Sequence, residues 1–114
     1  MKELKAFIRT IAVESVVRAL REAGAPGITI SHVRGVGYDY DPEQFTFAPG
    51  VEGKAPEVVK IEVVCRGEDV DRLVEAILDA ASTGRRGDGL VFVIPVEDVV
   101  KVRTRQRGAL ALGS

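Results

Sequence analysis

The sequence has little of the residue types that most often carry covalent or metal chemistry. Its 114 residues include one cysteine, one histidine and no tryptophan. A single cysteine excludes an internal disulfide and a cysteine-rich zinc site, and it favours a reducing compartment. Cys65 lies in an apolar run and is predicted to be a buried thiol. His32 has no second histidine or cysteine with which to share a metal, so we predict a structural or surface role for it and no metal site.

Neither sign of charge is in excess. Sixteen Lys and Arg stand against seventeen Asp and Glu, which leaves a net charge of −1. The chain therefore lacks the basic field of a nucleic-acid-binding protein, and we expect no nucleic-acid partner. It also lacks a run of ~20 apolar residues that would span a membrane and the apolar stretch of a signal peptide. We expect one cytoplasmic domain over residues 1–114, because a 46% apolar chain of this length suffices for one core.

Two segments have the periodicity of amphipathic helices. Residues 12–23 place apolar side chains three and four positions apart, and Gly24 and Pro26 end that helix. The second helix opens on acidic residues, which the helix dipole favours, and we interpret Gly84 as its C-terminal cap. The predicted buried positions are Val13, Val16, Val17, Leu20 and Ala23 in the first helix and Val70, Leu73, Val74, Ile77, Leu78 and Ala81 in the second.

Four segments have the patterns of strands. Residues 4–8, predicted to form a central strand, alternate apolar and polar side chains, as do residues 58–65, and residues 28–33 are extended. Residues 90–96 are almost wholly apolar, which is typical of a strand buried on both faces. Residues 99–103 are predicted to add a short edge piece.

The resulting order of elements is βαββαβ. This order predicts an α+β, ferredoxin-like fold, with an antiparallel sheet and two helices on one of its faces. Such a two-layer domain leaves the other sheet face uncovered, and apolar side chains on that face predict association with further copies of the chain.

Residues 38–56 have no sustained periodicity and are predicted to form a long loop. Connections longer than about 12–15 residues are uncommon in compact domains and tend to be functional or disordered. Aromatic side chains on such a loop suit contact with a partner or a ligand. The alternative is a loop that folds onto its own subunit and covers surface with its rings. The aromatic residues concerned are Tyr38, Tyr40, Phe45 and Phe47.

The chain resembles the PII signal-transduction family over nearly its whole length. Matching segments include MKELKAFIR, GITI, HVRGVG, VVKIEVVC and KVRTRQRG, and the most specific is TGRRGDG at residues 83–89, which is similar to the family's TGxxGDGxIF signature. The resemblance implies a homotrimer with adenine-nucleotide sites in the clefts between subunits. It also implies that the long loop engages a target protein, for example a membrane transporter or a metabolic enzyme.

The turn at residues 84–89 has the composition of a phosphate cradle. Three glycines let backbone N–H groups approach phosphate oxygens without interference from a Cβ atom, although such turns also serve as plain connections. The resemblance implies that ATP, ADP or AMP is bound by Gly27, Ile28, Thr29, Gly35, Val36, Gly37, Glu62, Val64, Gly87, Asp88, Gly89, Lys101 and Arg103.

These residues have different implied roles. Residues 27–29 are implied adenine-side contacts from the neighbouring subunit, and Glu62 an implied ribose contact. Lys101 and Arg103 occupy the places of two family arginines that bind phosphates across the interface. Lys101 keeps the charge of the arginine that it replaces but loses the guanidinium fork.

Departures from the family cluster near the terminal phosphate. Asp39 replaces a glutamine that helps to coordinate magnesium beside 2-oxoglutarate. Whether magnesium binds to this chain is therefore left open, and Asp39 is the candidate ligand. An arginine and two lysines are also replaced, and a tyrosine that the family uridylylates is absent, so that modification is not expected. The residues at these four places are Tyr38, Val58, Leu90 and Val51.

The replacement of these cationic residues leads to a prediction about nucleotide preference. A charged contact is worth roughly 1.5–3 kcal/mol. The γ-phosphate should therefore contribute less binding free energy here than in the family. We therefore predict that ADP or AMP binds at least as tightly as ATP, and we do not predict 2-oxoglutarate sensing. A substitute cation would change this prediction, and the candidates are Arg9, Lys54, Arg85 and Arg86.

No nucleophile or acid–base pair is recognisable, since Cys65 and His32 are isolated, so we predict no enzyme activity. The leading hypothesis is a sensor whose bound nucleotide selects among loop conformations. The alternative is another ferredoxin-like trimeric regulatory module that binds a metal or a small metabolite. That class would not need the glycine-rich turn.

Overall fold

The computed structural model describes residues 1–40 and 55–113. In these ranges the regular elements follow the predicted order βαββαβ, which confirms the α+β, ferredoxin-like fold class. The elements are β1 (Lys2–Ile8), α1 (Val13–Glu22), β2 (Thr29–Arg34), β3 (Glu57–Cys65), α2 (Val70–Ala81) and β4 (Gly89–Pro95). Short 3-10 turns at Thr10–Ala12 and Gly67–Asp69 lead into the two helices.

The strands form an antiparallel sheet in the order β2-β3-β1-β4. β1 is central, as predicted. The prediction that β4 is buried on both faces is wrong for the single chain, because β4 lies at the edge of the sheet. Val93 in this strand is 47% exposed.

The two helices cover one face of the sheet and enclose the core. Apolar side chains of β1 and β3 pack there against both helices, and the predicted helical stripes are confirmed except at one position. Leu78 is 44% exposed, because it lines a surface groove beside the start of β4. Cys65 is fully buried, as predicted, and burial raises the pKa of its thiol.

Two predicted boundaries need correction. Gly24, with a positive φ of 85°, follows the C-terminal cap of α1, as expected, but α2 is not capped by Gly84. The C-terminal cap of α2 is Ser82, which is already extended, and Gly84 belongs to the turn that follows. Residues 99–103 form no strand of the sheet, since they contribute a single bridge, between Val100 and Arg107. The carboxylate of Asp98 stabilises this tail segment through hydrogen bonds with residues at both of its ends.

The second face of the sheet, here called the open face, is not covered by the helices. Charged and apolar side chains alternate across it in register, since Lys5 lies opposite both Glu62 and Phe92. Two ion pairs lie on this face, Lys5–Glu3 at 3.6 Å and Lys60–Glu62 at 3.5 Å, and their four side chains are between 23% and 29% exposed. The apolar residues around them are Phe7, Val64, Leu90, Phe92 and Ile94. No helix among the described residues is long and apolar enough to cross a membrane.

Candidate functional site

The predicted site residues lie at two opposite ends of the sheet. At the end called here the turn end, β4 begins at Gly89, and Arg34 pairs with Glu57. At the opposite end, the tail end, β2 begins beside Glu62, and β4 leads into the C-terminal tail. Glu62 lies five residue steps beyond Glu57 in β3, which is roughly 16 Å along the strand. One chain therefore does not bring all the predicted residues into a single pocket.

The turn at residues 83–88 is organised by the carboxylate of Asp88. The backbone N–H groups of Thr83 and Gly84 donate to its Oδ2 atom at 2.7 Å and 2.9 Å, and the hydroxyl of Thr83 donates to Oδ1. The hydroxyl bond, followed by the two N–H bonds, lowers the pKa of Asp88 from 3.8 to about 2. Asp88 is thus an ionised brace inside the turn at neutral pH.

The braced turn leaves backbone donors for an anion. Among the described residues, no acceptor bonds to the N–H groups of Arg86 and Gly87. Successive N–H groups in such a turn form a concavity that suits phosphate oxygens. These two N–H groups, rather than the carboxylate of Asp88, are therefore the groups at this turn that suit phosphate.

Glycine is required at Gly89, where β4 begins. Its φ is +106°, and a Cβ atom there would overlap the carbonyl oxygen of Phe7 in the neighbouring strand. Gly87 has a φ of +99°, and a Cβ atom there would lie 2.9 Å from the guanidinium of Arg9. Two of the three glycines of the predicted signature, Gly87 and Gly89, are thus explained by geometry.

Arg9 is a residue of this site that sequence reasoning named only as a substitute cation. Its guanidinium donates to the carbonyl of Arg86 at 2.6 Å and to Asp88 at 3.4 Å. Pairing of β1 with β4 places it there, because Ile8 lies opposite Gly89. Knowledge of the strand order would have been enough to predict this contact. No local sequence pattern indicates it, because Arg9 and Asp88 are 79 residues apart.

The base of the predicted loop is tied at both of its ends. The N–H of Gly35 donates to the carbonyl of Pro56 at 3.0 Å, and Arg34 donates to the carbonyl of Ala55 at 3.0 Å. The ring of Tyr40 lies directly over Gly35, where any Cβ atom would overlap it. Burial and the neighbouring Tyr38 raise the pKa of Tyr40.

A row of aromatic rings joins the loop base to the open face. Tyr38 lies edge-on to Tyr40 at a centroid distance of 6.5 Å and to Phe92 at 5.9 Å, and Phe92 lies edge-on to Phe7 at 5.9 Å. Tyr38 thus packs on its own subunit while remaining 67% exposed. Phe7 and Phe92 were missed by sequence reasoning, because each has apolar neighbours in a strand and neither differs from an ordinary buried strand residue.

These rings line a groove of about 390 Å³ that contains the predicted residues Gly35 and Val36. Phe7, Phe92 and Ile94 form its apolar wall, and Lys5 and Arg34 add two cations. An apolar wall with cations at its margin suits a planar, negatively charged ligand.

The turn and the loop base are joined by one ion pair. The guanidinium of Arg86 donates to the carboxylate of Asp39 at 3.2 Å. Asp39 has a positive φ of 69° and follows Tyr38, which has a φ of 49°. Within residues 1–40 and 55–113, no group of three or more His, Cys, Asp or Glu residues has the arrangement of a metal site.

A second cavity lies between the turn and the loop base. Its volume is about 180 Å³, and it is lined by Arg9, Glu57, Val58, Gly87 and other residues. Val58 is 5% exposed and supplies an apolar wall at the place where the resemblance implies a lysine. Of the residues that the structure describes here, a dicarboxylate would meet one arginine and one carboxylate, which disfavours its binding.

The predicted adenine-side residues gather at the tail end. They line a groove of about 600 Å³, and the 3-10 turn Ala109–Leu112 forms another of its walls. The predicted residues in this groove are Gly27, Ile28, Thr29, Glu62 and Val64.

Lys101 and Arg103 also lie beyond the tail end of β4. They belong to a tight turn in which the N–H of Lys101 donates to the carbonyl of Gln106 at 2.8 Å, and the N–H of Arg105 donates to the carbonyl of Lys101 at 2.8 Å. Arg103 is exposed. The predicted phosphate ligands therefore lie far from the glycine-rich turn of their own chain. The predicted residues Phe45, Phe47, Val51 and Lys54 lie outside the described residues.

Comparison with known proteins gives a family match over most of the chain. The family model of Nitrogen regulatory protein P-II matches residues 1–106. The Nitrogen regulatory protein P-II of Azospirillum brasilense is 42% identical over 113 residues, which cover 98% of this chain and 100% of that protein. Nitrogen regulatory protein P-II 2 of Methanothermobacter thermautotrophicus is 38% identical over 117 residues, which cover 98% of this chain and 97% of that protein. The matched range includes both ends of the sheet.

Proposed function

This chain belongs to the family of nitrogen regulatory protein P-II, a family of signal-transduction regulators, and we propose that it is a non-catalytic sensor of adenine nucleotides. The observation that carries the proposal is the direct connection between the braced turn and the loop base through Arg86 and Asp39. A ligand bound at the turn would thereby act on the loop, and the loop would act on a target protein.

The phosphates are proposed to bind at the turn end. The N–H groups of Arg86 and Gly87 would donate hydrogen bonds to phosphate oxygens. The adenine base would lie toward the groove that contains Gly35 and Val36. Asp88 would keep the turn in shape without contributing an attractive charge.

A complete site is proposed to need a second copy of the chain. The residues expected on the adenine side, together with Lys101 and Arg103, lie at the tail end, roughly 16 Å or more from the turn by strand geometry. The open face supports association, since its apolar side chains alternate with charged side chains that are already paired. We propose the homotrimer that the resemblance implies, in which the turn end of one subunit meets the tail end of the next.

The nucleotide preference is proposed to be for ADP or AMP, with ATP no tighter. Arg9 and Arg86, two of the candidate substitutes for the missing cations, already have partners within the chain. Each would have to leave a partner to bind a γ-phosphate, which offsets part of the gain. Among residues 1–40 and 55–113, the lining of the cavity beside Val58 gives no second cation for 2-oxoglutarate.

The target is proposed to be a cytoplasm-facing protein, either a transporter or a metabolic enzyme. The relatives are named nitrogen regulatory proteins, so a nitrogen-related target is proposed first and an inorganic-carbon protein second. Tyr38 is proposed as a contact, because it is exposed at the base of the loop.

Calorimetric titration with AMP, ADP and ATP, with and without magnesium and 2-oxoglutarate, tests the proposal. We expect micromolar ADP or AMP binding that 2-oxoglutarate does not change. A matched pair of variants localises the site, since Gly84 and Gly87 both have positive φ but only Gly87 lies against Arg9. Gly87→Ala should weaken binding much more than Gly84→Ala, and equal effects would argue against phosphate at Gly87.

The same preparation discriminates the alternative function. A ferredoxin-like module that binds a metal or a small metabolite would form the trimer but bind no nucleotide. Mass measurement in solution together with the titration separates the two cases. A trimer without nucleotide binding would favour the alternative, and a monomer that binds nucleotide would reject the two-subunit site.

A further inference from the structure

The ion pair between Arg86 and Asp39 joins two parts of the chain that lie 47 residues apart in sequence. Among the described residues, it is the only hydrogen bond or ion pair between residues 36–40 of the loop base and residues 83–88 of the turn. The side chains are 63% and 72% exposed. Exposed ion pairs are weak, so a ligand with a competing anionic group can replace the carboxylate.

Both partners remain positioned when the pair opens. The carbonyl of Arg86 is held by Arg9 at 2.6 Å, so its guanidinium can change partner without loss of the turn. On the other side, the N–H of Tyr40 donates to the carbonyl of Gly37 at 2.9 Å across Asp39. The pair can therefore open and close as a local event.

We infer that the Asp39–Arg86 pair is a latch by which the loop base responds to the number of phosphates on the bound nucleotide. This inference rests on the proposed function. Arginine binds phosphate through two parallel hydrogen bonds, and Arg86 carries both this guanidinium and one of the two backbone N–H groups proposed to bind phosphate. The terminal phosphate of ADP or ATP takes the guanidinium from Asp39, whereas AMP leaves the latch closed.

Opening the latch has two consequences. Asp39 is released next to a new negative charge and is repelled by it, so the loop base loses its connection to the turn. Because coupling is reciprocal, a target protein that holds the latch closed lowers the affinity for ADP and ATP relative to AMP. Because the pair with Asp39 must open first, the phosphate contact contributes less binding free energy than a contact with an unpaired arginine would. This agrees with the proposed nucleotide preference.

The chain has its own reporter for this movement. Tyr38 and Tyr40 are its two tyrosines, it has no tryptophan, and the two residues are the sequence neighbours of Asp39. Tyrosine fluorescence anisotropy of the full chain should change with ADP and ATP and stay constant with AMP. The three nucleotides share one base, so absorption by adenine is matched between them.

Four variants test the latch by titration with AMP and ADP. Asp39→Asn should raise ADP affinity roughly two- to fivefold, the size expected for one exposed ion pair, and leave AMP affinity unchanged. Asparagine tolerates the positive φ at this position. Arg86→Gln should weaken ADP binding and abolish the anisotropy change, whereas Arg21→Gln, which removes the same charge from an exposed position of α1, should do neither. In the double variant, Asp39→Asn should give no further gain.

The outcomes separate the inference from the proposed function. Nucleotide binding with an equal tyrosine response to AMP and ADP would reject the latch alone. An equal gain from Asp39→Asn with and without Arg86 would also reject it, because the effect would then be plain repulsion by Asp39. Absence of binding by all three nucleotides would reject the proposed function and the latch together.

Discussion

The two halves of the chain, β1–α1–β2 and β3–α2–β4, contain the same elements but differ in the segment that leads from helix to strand. The first connector, residues 23–28, receives one side-chain hydrogen bond, from Arg72 to the carbonyl of Ala23 at 2.9 Å. The second connector, residues 82–88, is braced by Asp88 and held by Arg9. The same connection is made in both halves, so the fold does not require the brace. We interpret the extra organisation as serving the site.

The largest difference between the two halves should appear at the glycines Gly27, in the first connector, and Gly89, the first residue of β4 after the second. Gly89→Ala should lower the free energy of unfolding by about 3 kcal/mol or more, because its Cβ would overlap the carbonyl of Phe7 at a φ of +106°. Gly27→Ala should change it by less than about 0.5 kcal/mol, since nothing lies within 4 Å of its Cβ position. Urea denaturation followed by circular dichroism measures both. A large loss in Gly27→Ala would show that this connector is packed against another subunit.

The next effect concerns the brace. Asp88→Ala should cost about 1–2 kcal/mol, because two backbone N–H groups and a hydroxyl lose a charged acceptor at a partly exposed position. Amide hydrogen exchange should accelerate at Thr83 and Gly84 and stay unchanged in residues 23–28. Asp71→Ala removes the same charge from the first turn of α2 and serves as the control. Unchanged exchange at Thr83 would mean that the turn keeps its shape without Asp88.

The pattern of apolar residues predicted most of the fold but little of the site's internal contacts. Burial of side chains such as Val16 and Ile61 follows directly from periodicity, because a single repeat determines which face is buried. The contacts of Arg9 with Asp88 and of Arg86 with Asp39 depend on strand order and loop path, which no local repeat encodes. The apolar run of β4 predicted burial that the single chain does not provide, because β4 lies at the edge of the sheet.

The brace also predicts a pH dependence. The pKa of Asp88 is about 2 in the folded chain against an ordinary 3.8, so the unfolded chain binds more protons between these values and stability rises with pH there. The stabilisation by Asp88 should be complete above about pH 4 and lost as the pH falls toward 2. Unfolding measured across pH 2–5 should show a shallower slope for Asp88→Asn than for the unchanged chain. Identical slopes would mean that the carboxyl is not stabilised in its charged form.

The smallest expected effect belongs to the first connector. Arg72 donates to the carbonyl of Ala23 at the end of α1 and to Asp69 at 3.1 Å, and its side chain is 53% exposed. Arg72→Met should therefore cost less than about 1 kcal/mol, because it removes one cap on a helix carbonyl and one exposed ion pair. Arg18→Met, which breaks an exposed pair with Glu14 inside α1, should cost still less. If Arg72→Met proved as costly as Asp88→Ala, the first connector would depend on side-chain support as much as the second, and the brace at Asp88 would be ordinary helix-end stabilisation with no bearing on a ligand.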